Sequence, residues 1–347
     1  MRNAILLFAL AVAASACGGP GKPANDDTNP PAQSSASSST TSEPTSTGAA
    51  PSADTSRGIA ALQNGDYAAA KSAFEAAIAS NARDADAHHY LAVTLEKTND
   101  KAGAEKEYKA ALAIKPDLAE AAANLGALYV DAQRWDDAIG VLGPEAKKRA
   151  DSAPVQFNLA LAYAGKGDRD DATRAFDAAL KVTPNDPMLL YTYGHTLATW
   201  HDGEGAVAKL RAARDAASGQ ASAGTDRGDL LGSIGHELLL LRAVGDCITS
   251  FDKAIAVKDG AQFRTERALC KLASKDDAGA TSDLEAAVKA DPGYALAHYW
   301  LGTRRMAAKK WSEAAKELEA YLKIEPNGPK AKSARAALAV AKRGGRK

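Results

Sequence analysis

His236 and Glu237 open the string HELLL. The same pair begins the zinc-binding helix of metallopeptidases, where a second imidazole one turn further on completes the metal site and the glutamate acts as base. Here Leu239 and Leu240 occupy the place of that second histidine, so hydrolysis at a bound metal is not expected. Ser250 and Lys253 lie one helical turn apart, a spacing at which a lysine amine can activate a hydroxyl nucleophile. They stand alone, inside a segment, FDKAI, that has another explanation below. The sequence has no phosphate-cradling glycine loop, Gly-x-Ser-x-Gly elbow or Cys-x-x-Cys pair. Its six histidines are scattered. No catalytic residue, metal site, cofactor or small-molecule substrate is therefore expected, and the chain is not read as an enzyme.

Chemistry of another kind is written at the start. Arg2 is a single-charge n-region, Ile5 to Ala13 is apolar, and AASAC ends at Cys17. This is the layout of a secretory signal over 1–16, too short to span a bilayer. A cysteine directly after small residues resembles a bacterial lipoprotein signal, with Ala14 where the usual pattern has leucine. The resemblance implies that Cys17 becomes the lipidated first residue of the mature chain. Gly18 in place of Asp implies the outer membrane over the inner one. Plain secretion, with cleavage nearby and no lipid, is the alternative. From 17 to 53 the chain is Gly, Pro, Ser, Thr and Asn with almost no large apolar residue, a composition that cannot offset its ordering entropy. Read as a flexible linker of about 35 residues, it spans roughly 30–35 Å.

The 347 residues carry equal numbers of Lys+Arg and Asp+Glu. That balance argues against a nucleic-acid partner, which needs a basic face. No run of eighteen apolar residues suggests a transmembrane helix.

The elements that position everything else emerge when the sequence is slid against itself. KGDRDDATRAFDAALKVTPN, from Lys166, repeats the pattern of NGDYAAAKSAFEAAIASNAR, from Asn64. The step is 34 residues, with copies opening at 85, 119, 153 and 187, an earlier one near 51, and later ones near 228, 261 and 295. In each copy a first helix pairs a large residue with a small one, as in Leu91-Ala92, Leu125-Gly126, Leu159-Ala160, Tyr193-Gly194 and Leu301-Gly302. The small residue admits the second helix, which has its own small position at Ala70, Ala104, Ala138, Ala172, Ala206, Cys247, Ala280 and Ala314. Phe74, Tyr108, Phe176 and Phe251 follow four residues on, on the same face. Pro116, Pro184, Pro292 and Pro326 end the second helix.

Period, helix–turn–helix layout and residue pattern together resemble the tetratricopeptide repeat (TPR) family. The resemblance implies an all-α, right-handed superhelix, an α-solenoid of about eight repeats with a capping helix. Repeats one to five are read over 54–217, a flexible insertion or hinge over 218–227, repeats six to eight over 228–328, and the cap over 329–343. Gly143-Pro144 is expected to kink or end the second helix of repeat three, since an interior proline costs about 3 kcal/mol. Repeat seven fits two registers one residue apart, implying a shortened turn near Lys275. His88 and His298 fall at the fourth repeat position, where a packing role is expected. Cys247 and Cys270 lie on neighbouring helices; a disulfide and two free core thiols are both open.

By the same resemblance, a partner lies against the first helices. Carried onto this chain, the family's contact positions give His89 and Val93, Ala123 and Ala127, Phe157 and Leu161, Tyr191 and His195, Gly232 and His236, and Tyr299 and Thr303. One further position adds Tyr90, Asn124, Asn158 and Trp300. This set is short of Lys and Arg, so a grip on a C-terminal carboxylate is not expected. Aromatics, asparagines and histidines suit an extended segment or a helix. The function implied is a lipid-anchored interaction scaffold of the bacterial envelope, similar to TPR lipoproteins that assist assembly of secretins or outer-membrane machinery, including type IV pilus pilotins. A soluble secreted binding protein and a regulatory subunit of an enzyme are the alternatives.

Overall fold

A computed structural model describes residues 52–219 and 225–345. Seventeen α-helices and no strand occur among them. The signal, Cys17 and nearly all of the linker lie outside the described residues. The chain divides into two compact units, one up to Val182 and one from Thr183.

The first unit contains α1 (Ala53–Gln63), α2 (Tyr67–Ser80), α3 (Ala85–Lys97), α4 (Lys101–Ile114), α5 (Ala119–Asp131), α6 (Trp135–Lys148), α7 (Ala153–Lys166) and α8 (Arg169–Val182). The second contains α9 (Pro187–Thr199), α10 (Gly203–Gly219), α11 (Thr225–Leu240), α12 (Val244–Val257), α13 (Ala261–Ala273), α14 (Asp277–Ala290), α15 (Ala295–Ala307), α16 (Trp311–Ile324) and α17 (Ala331–Gly344). Within each unit, odd-numbered helices up to α15 are the first of a hairpin and even-numbered ones the second. Each packs on its hairpin partner and on the next helix along.

One contact makes each hairpin. A small residue of the first helix receives a large one sixteen residues later: Gly58 and Phe74, Ala92 and Tyr108, Gly126 and Leu142, Ala160 and Phe176 in the first unit. In the second, Gly194 faces Leu210, Gly235 Phe251, Ala268 Leu284, and Gly302 Leu318. All eight large partners are fully buried. Burying such a side chain contributes about 1.5–3 kcal/mol. A Cβ built on any of the five glycines here would collide with its partner, so these glycines set how closely the helices approach.

The turn inside each hairpin also has a fixed form. One residue adopts positive φ: Gly65, Asn99, Gln133, Gly167, His201, Arg242, Lys275 and Lys309. Six of the eight are not glycine, although the left-handed region costs an ordinary residue about 1–2 kcal/mol. Aspartate often follows and caps the second helix: Asp66, Asp100, Asp202 and Asp276 each accept from the backbone N–H three residues on, contacts of about 1 kcal/mol apiece. These turn residues count the repeats. The spacing is 34 through His201, 41 to Arg242, 33 to Lys275 and 34 to Lys309. The step one residue short is not a shortened turn near Lys275, where 274–276 is as long as the turns of neighbouring hairpins; the residue is lost before α13, where 258–260 replaces the four-residue connection seen at 81–84, 115–118, 149–152 and 291–294.

Two further expectations need correction. Of the two outcomes expected at Gly143-Pro144, a kink or an early end, the early end does not occur: α6 continues past Pro144 to Lys148, with Ala138, Leu142, Glu145 and Ala146 on its buried face. The carbonyl that loses its N–H partner belongs to Gly140, which is exposed and has open space around it; solvent can satisfy it. The bounds of the insertion, read as 218–227, also narrow. Ser218 and Gly219 finish α10 and Thr225 to Arg227 begin α11, making these helices 17 and 16 residues long. Ser218 Oγ donates to Arg214 O and accepts from Lys253 Nζ at 2.9 Å. Residues 220–224 lie outside the described set. The cap forms as expected: α17 buries Ala331, Ala334 and Ala341, packing with Leu318 and Tyr321 of α16.

Candidate functional site: the first-helix faces

In the first unit the candidate residues come from α3, α5 and α7. His89 is buried, and its Nε2 accepts from Asn124 Nδ2 at 3.2 Å, joining α3 to α5. Burial lowers its pKa, while the charges of Glu120 and Asp86 pull the other way. Tyr90 is half-buried and stacks on Phe74 with ring centroids 5.9 Å apart. Its hydroxyl is pushed up by burial and by Asp86 and Glu120. Phe157 is half-buried against Phe176, 6.2 Å between centroids. Asn158 and Ala123 are buried; Val93, Asn124, Ala127 and Leu161 are half-buried.

Asp86 and Glu120 were not among the expected residues. They occupy the second repeat position, and their charges act on both His89 and Tyr90. Neither forms an ion pair among the described residues. The family's second contact position is the signal that could have found them.

In the second unit a ladder of hydrogen bonds crosses three first helices. His195 Nδ1 of α9 lies 3.0 Å from Glu237 Oε1 of α11, and His236 Nδ1 of α11 lies 3.2 Å from Glu266 Oε2 of α13. Gln262 donates to the other Glu266 oxygen at 3.3 Å. The adjacent His236-Glu237 pair is thus split between opposite neighbours. Among the described residues no three His, Cys, Asp or Glu side chains cluster to hold a metal. His236 is half exposed, at 49%, and its pKa is raised by the hydrogen bond to Glu266. Tyr191 is buried beside His195, its hydroxyl pushed up to about 12 by burial and by Glu237.

At the far end of this unit Tyr299 meets Trp300 edge-on at 5.2 Å and Tyr321 at 5.6 Å. Lys330 Nζ lies 5.7 Å from the Trp300 ring centre. Thr303 donates to Trp300 O at 2.7 Å. Gly232 admits the Phe263 ring. Of the sixteen residues expected to line a groove, nine fall in the first unit and seven in the second, all wholly or half buried except His236, which is in the exposed class.

The other chemical candidates resolve into structure. Ser250 is buried, its Oγ lacking a hydrogen-bond partner among the described residues, while Lys253 reaches Ser218 and Asp215 instead. Cys247 and Cys270 form a disulfide between α12 and α13, with Cα atoms 6.1 Å apart; of the two open readings, the structure takes the bridge. His88 and His298 pack as expected and act as clasps. Each places Nδ1 2.6 Å from a second-helix carboxylate, Glu107 or Glu317, and turns Nε2 to the preceding loop's carbonyl, Ala82 or Pro292.

Comparison with known proteins bears on the fold. The curated protein FlbA of Caulobacter vibrioides is 31% identical over 151 residues, 44% of this chain and 25% of FlbA; the match thus spans about a quarter of that relative. Among solved structures, MamA from Desulfovibrio magneticus RS-1 is 17% identical with a TM-score of 0.46, covering 50% of this chain and 100% of its own. The APC/C hetero-tetramer Cut9-Hcn1 is 15% identical with a TM-score of 0.41, covering 81% and 55%. Tetratricopeptide-repeat family models match residues 55–119, 153–186 and 271–338, coinciding with hairpins seen in both units. The chain carries tetratricopeptide repeats, in an all-helical solenoid of that type.

Proposed function

We propose that the chain is a protein-binding scaffold of the bacterial cell envelope, held to a membrane by lipid on Cys17. An extended segment or helix of its partner lies along the first-helix faces. The supporting observation is the half-burial of Tyr90, Asn124, Phe157, Tyr299 and Trp300. Each is held by packing on one side and open on the other, which makes a rigid contact at low entropic cost. In the first unit Asp86 and Glu120 stand beside the rings without cations of their own, so a partner's terminal carboxylate is unwelcome there and its amide or cationic donors are favoured. The anchor and the outer-membrane location rest on the sequence of residues 1–18. Assistance in assembling an envelope complex is the role this arrangement suits.

Two measurements test the reading separately. Metabolic fatty-acid labelling should mark the wild type and not Cys17→Ser; an unlabelled wild type leaves a soluble secreted binder. Crosslinking from membranes should recover a partner with wild type and lose it with Phe157→Ala/Tyr299→Ala, provided that circular dichroism shows both folded. Equal recovery ends the assignment of the binding face.

A further inference from the structure

The end of the chain is charged unlike the rest of it. After Glu325 there is no acidic residue, while Lys330, Lys332, Arg335, Lys342, Arg343, Arg346 and Lys347 follow. Because the whole chain is formally neutral, everything before Pro326 is formally negative. On α17, Lys332, Arg335, Lys342 and Arg343 fall within an arc of about 100° at helical spacing. All four are exposed. Lys342 meets Glu319 at 2.7 Å. Arg335 and Arg343 donate only to backbone carbonyls, of Pro326 and Ala339. Among the described residues no carboxylate pairs with Lys332, Arg335 or Arg343. Val340, beside the arc, is 43% exposed.

A solenoid end needs to be polar; it does not need a single sign of charge. The first helix of the chain's first unit shows the ordinary solution, with Arg57 paired to Asp54 at 2.9 Å on α1. We propose that the outer face of α17 docks on an anionic phospholipid surface. α17 itself contributes no aromatic ring or carboxylate with which to read a defined ligand, and the carboxylate beside the arc, Glu319, is paired with Lys342. The arc is one exposed helix side carrying flexible cations, which fits negative charge spread over a surface. Each cation held near such a surface strengthens binding about fivefold, and the formally negative remainder is repelled, so the contact orients the molecule. Duplex nucleic acid is the other broad polyanion. Lipid is chosen over it because of the envelope reading above, and the contact does not involve the first-helix faces.

The test uses the full chain with Cys17→Ser, so that no attached lipid contributes. It should sediment with phosphatidylcholine vesicles containing roughly one-third phosphatidylglycerol, should not sediment with phosphatidylcholine alone, and should be released by high salt. Lys332→Glu/Arg335→Glu/Arg343→Glu should weaken binding roughly a hundredfold or more. Lys115→Glu/Lys181→Glu/Lys289→Glu changes net charge equally at exposed positions elsewhere and should keep binding. Equal sedimentation with both vesicle types, or equal behaviour of the two triple variants, overturns the proposal. Binding to duplex DNA without binding to vesicles also overturns it and assigns the face to nucleic acid. Loss of Cys17 labelling leaves this result untouched, so the two readings fail separately.

Discussion

The two units are built from one hairpin and fastened in different ways. In the first, the charged tie between repeats sits at the solvent edge: Glu105 of α4 accepts from Lys109 and Arg134 at 2.7 Å and from the Tyr129 hydroxyl at 3.0 Å. Those donors, Lys109 foremost, hold its carboxyl down to about 2. In the second, the ties go inside. Arg214 is buried between Asp215 and Asp246, at 3.0 and 2.8 Å, while Arg211 shares Asp246. The hydrogen bond from Arg211 holds Asp246 down to about 2. Arg267 joins Asp252 at 2.7 Å and also Asp283, and a disulfide links α12 to α13. The buried fasteners lie where the repeat is irregular. Arg214 and Asp246 connect α10 to α12 across the 41-residue step, and the bridge lies within the 33-residue step. A regular stack is held by its small-to-large contacts; an altered spacing has been given charge and sulfur in addition.

Breaking the covalent tie should have the largest effect. Closing a loop of this size, 23 residues apart in sequence, stabilises by about 3 kcal/mol. Reduction should therefore lower amide protection across α11 to α14 and leave α1 to α8 unchanged by hydrogen exchange. Equal loss in both units would show that they unfold as one.

Next come the close approaches. In Gly194→Ala the new Cβ meets Leu210 Cγ at 2.9 Å and two backbone atoms, Leu210 N at 3.1 Å and Ala206 O at 3.2 Å. The helices must part, at about 1–3 kcal/mol. In Gly58→Ala its three nearest neighbours are Phe74 ring atoms, at 2.5–2.8 Å; the buried ring must shift, a cost partly offset by about 1 kcal/mol of helix propensity, so the loss is smaller than in Gly194→Ala. Thermal melts of the two variants should differ accordingly; equal melting would mean that backbone contact does not set the spacing.

The smallest effect sharpens the contrast by sign. His89 has a lowered pKa, so its contribution is complete above the unfolded value of about 6.5 and is lost as pH falls through the folded one. His236 has a raised pKa, so its contribution is complete below about 6.5 and is lost as pH rises through its folded value. Acidification should loosen the α3–α5 contact and tighten α11–α13, read as opposite changes in local amide exchange. His89→Gln and His236→Gln should each abolish one trend.

Most of the fold could be read from side-chain size, because a small residue and a large one sixteen positions later recur eight times. The turns were less visible: Gln133, Arg242 and Lys309 have no preference for positive φ, and tertiary packing imposes it. Pro144 misled because a helix-interior cost says nothing of which carbonyl is orphaned, and Gly140 happens to face solvent. The site was legible by position and not by partner. Asn124, Tyr191 and His195 were named as contact residues, but Glu237 and Glu266 were not, since each meets its histidine 42 or 30 residues away.

The eight turn residues from Gly65 to Lys309 are all exposed, one to each hairpin. Six already bear side chains there. A single cysteine or photoreactive group placed at Asn99, Gln133, His201, Arg242, Lys275 or Lys309 gives six of the eight hairpins an address of their own, so whatever approaches one of them can be located to within one copy of the motif.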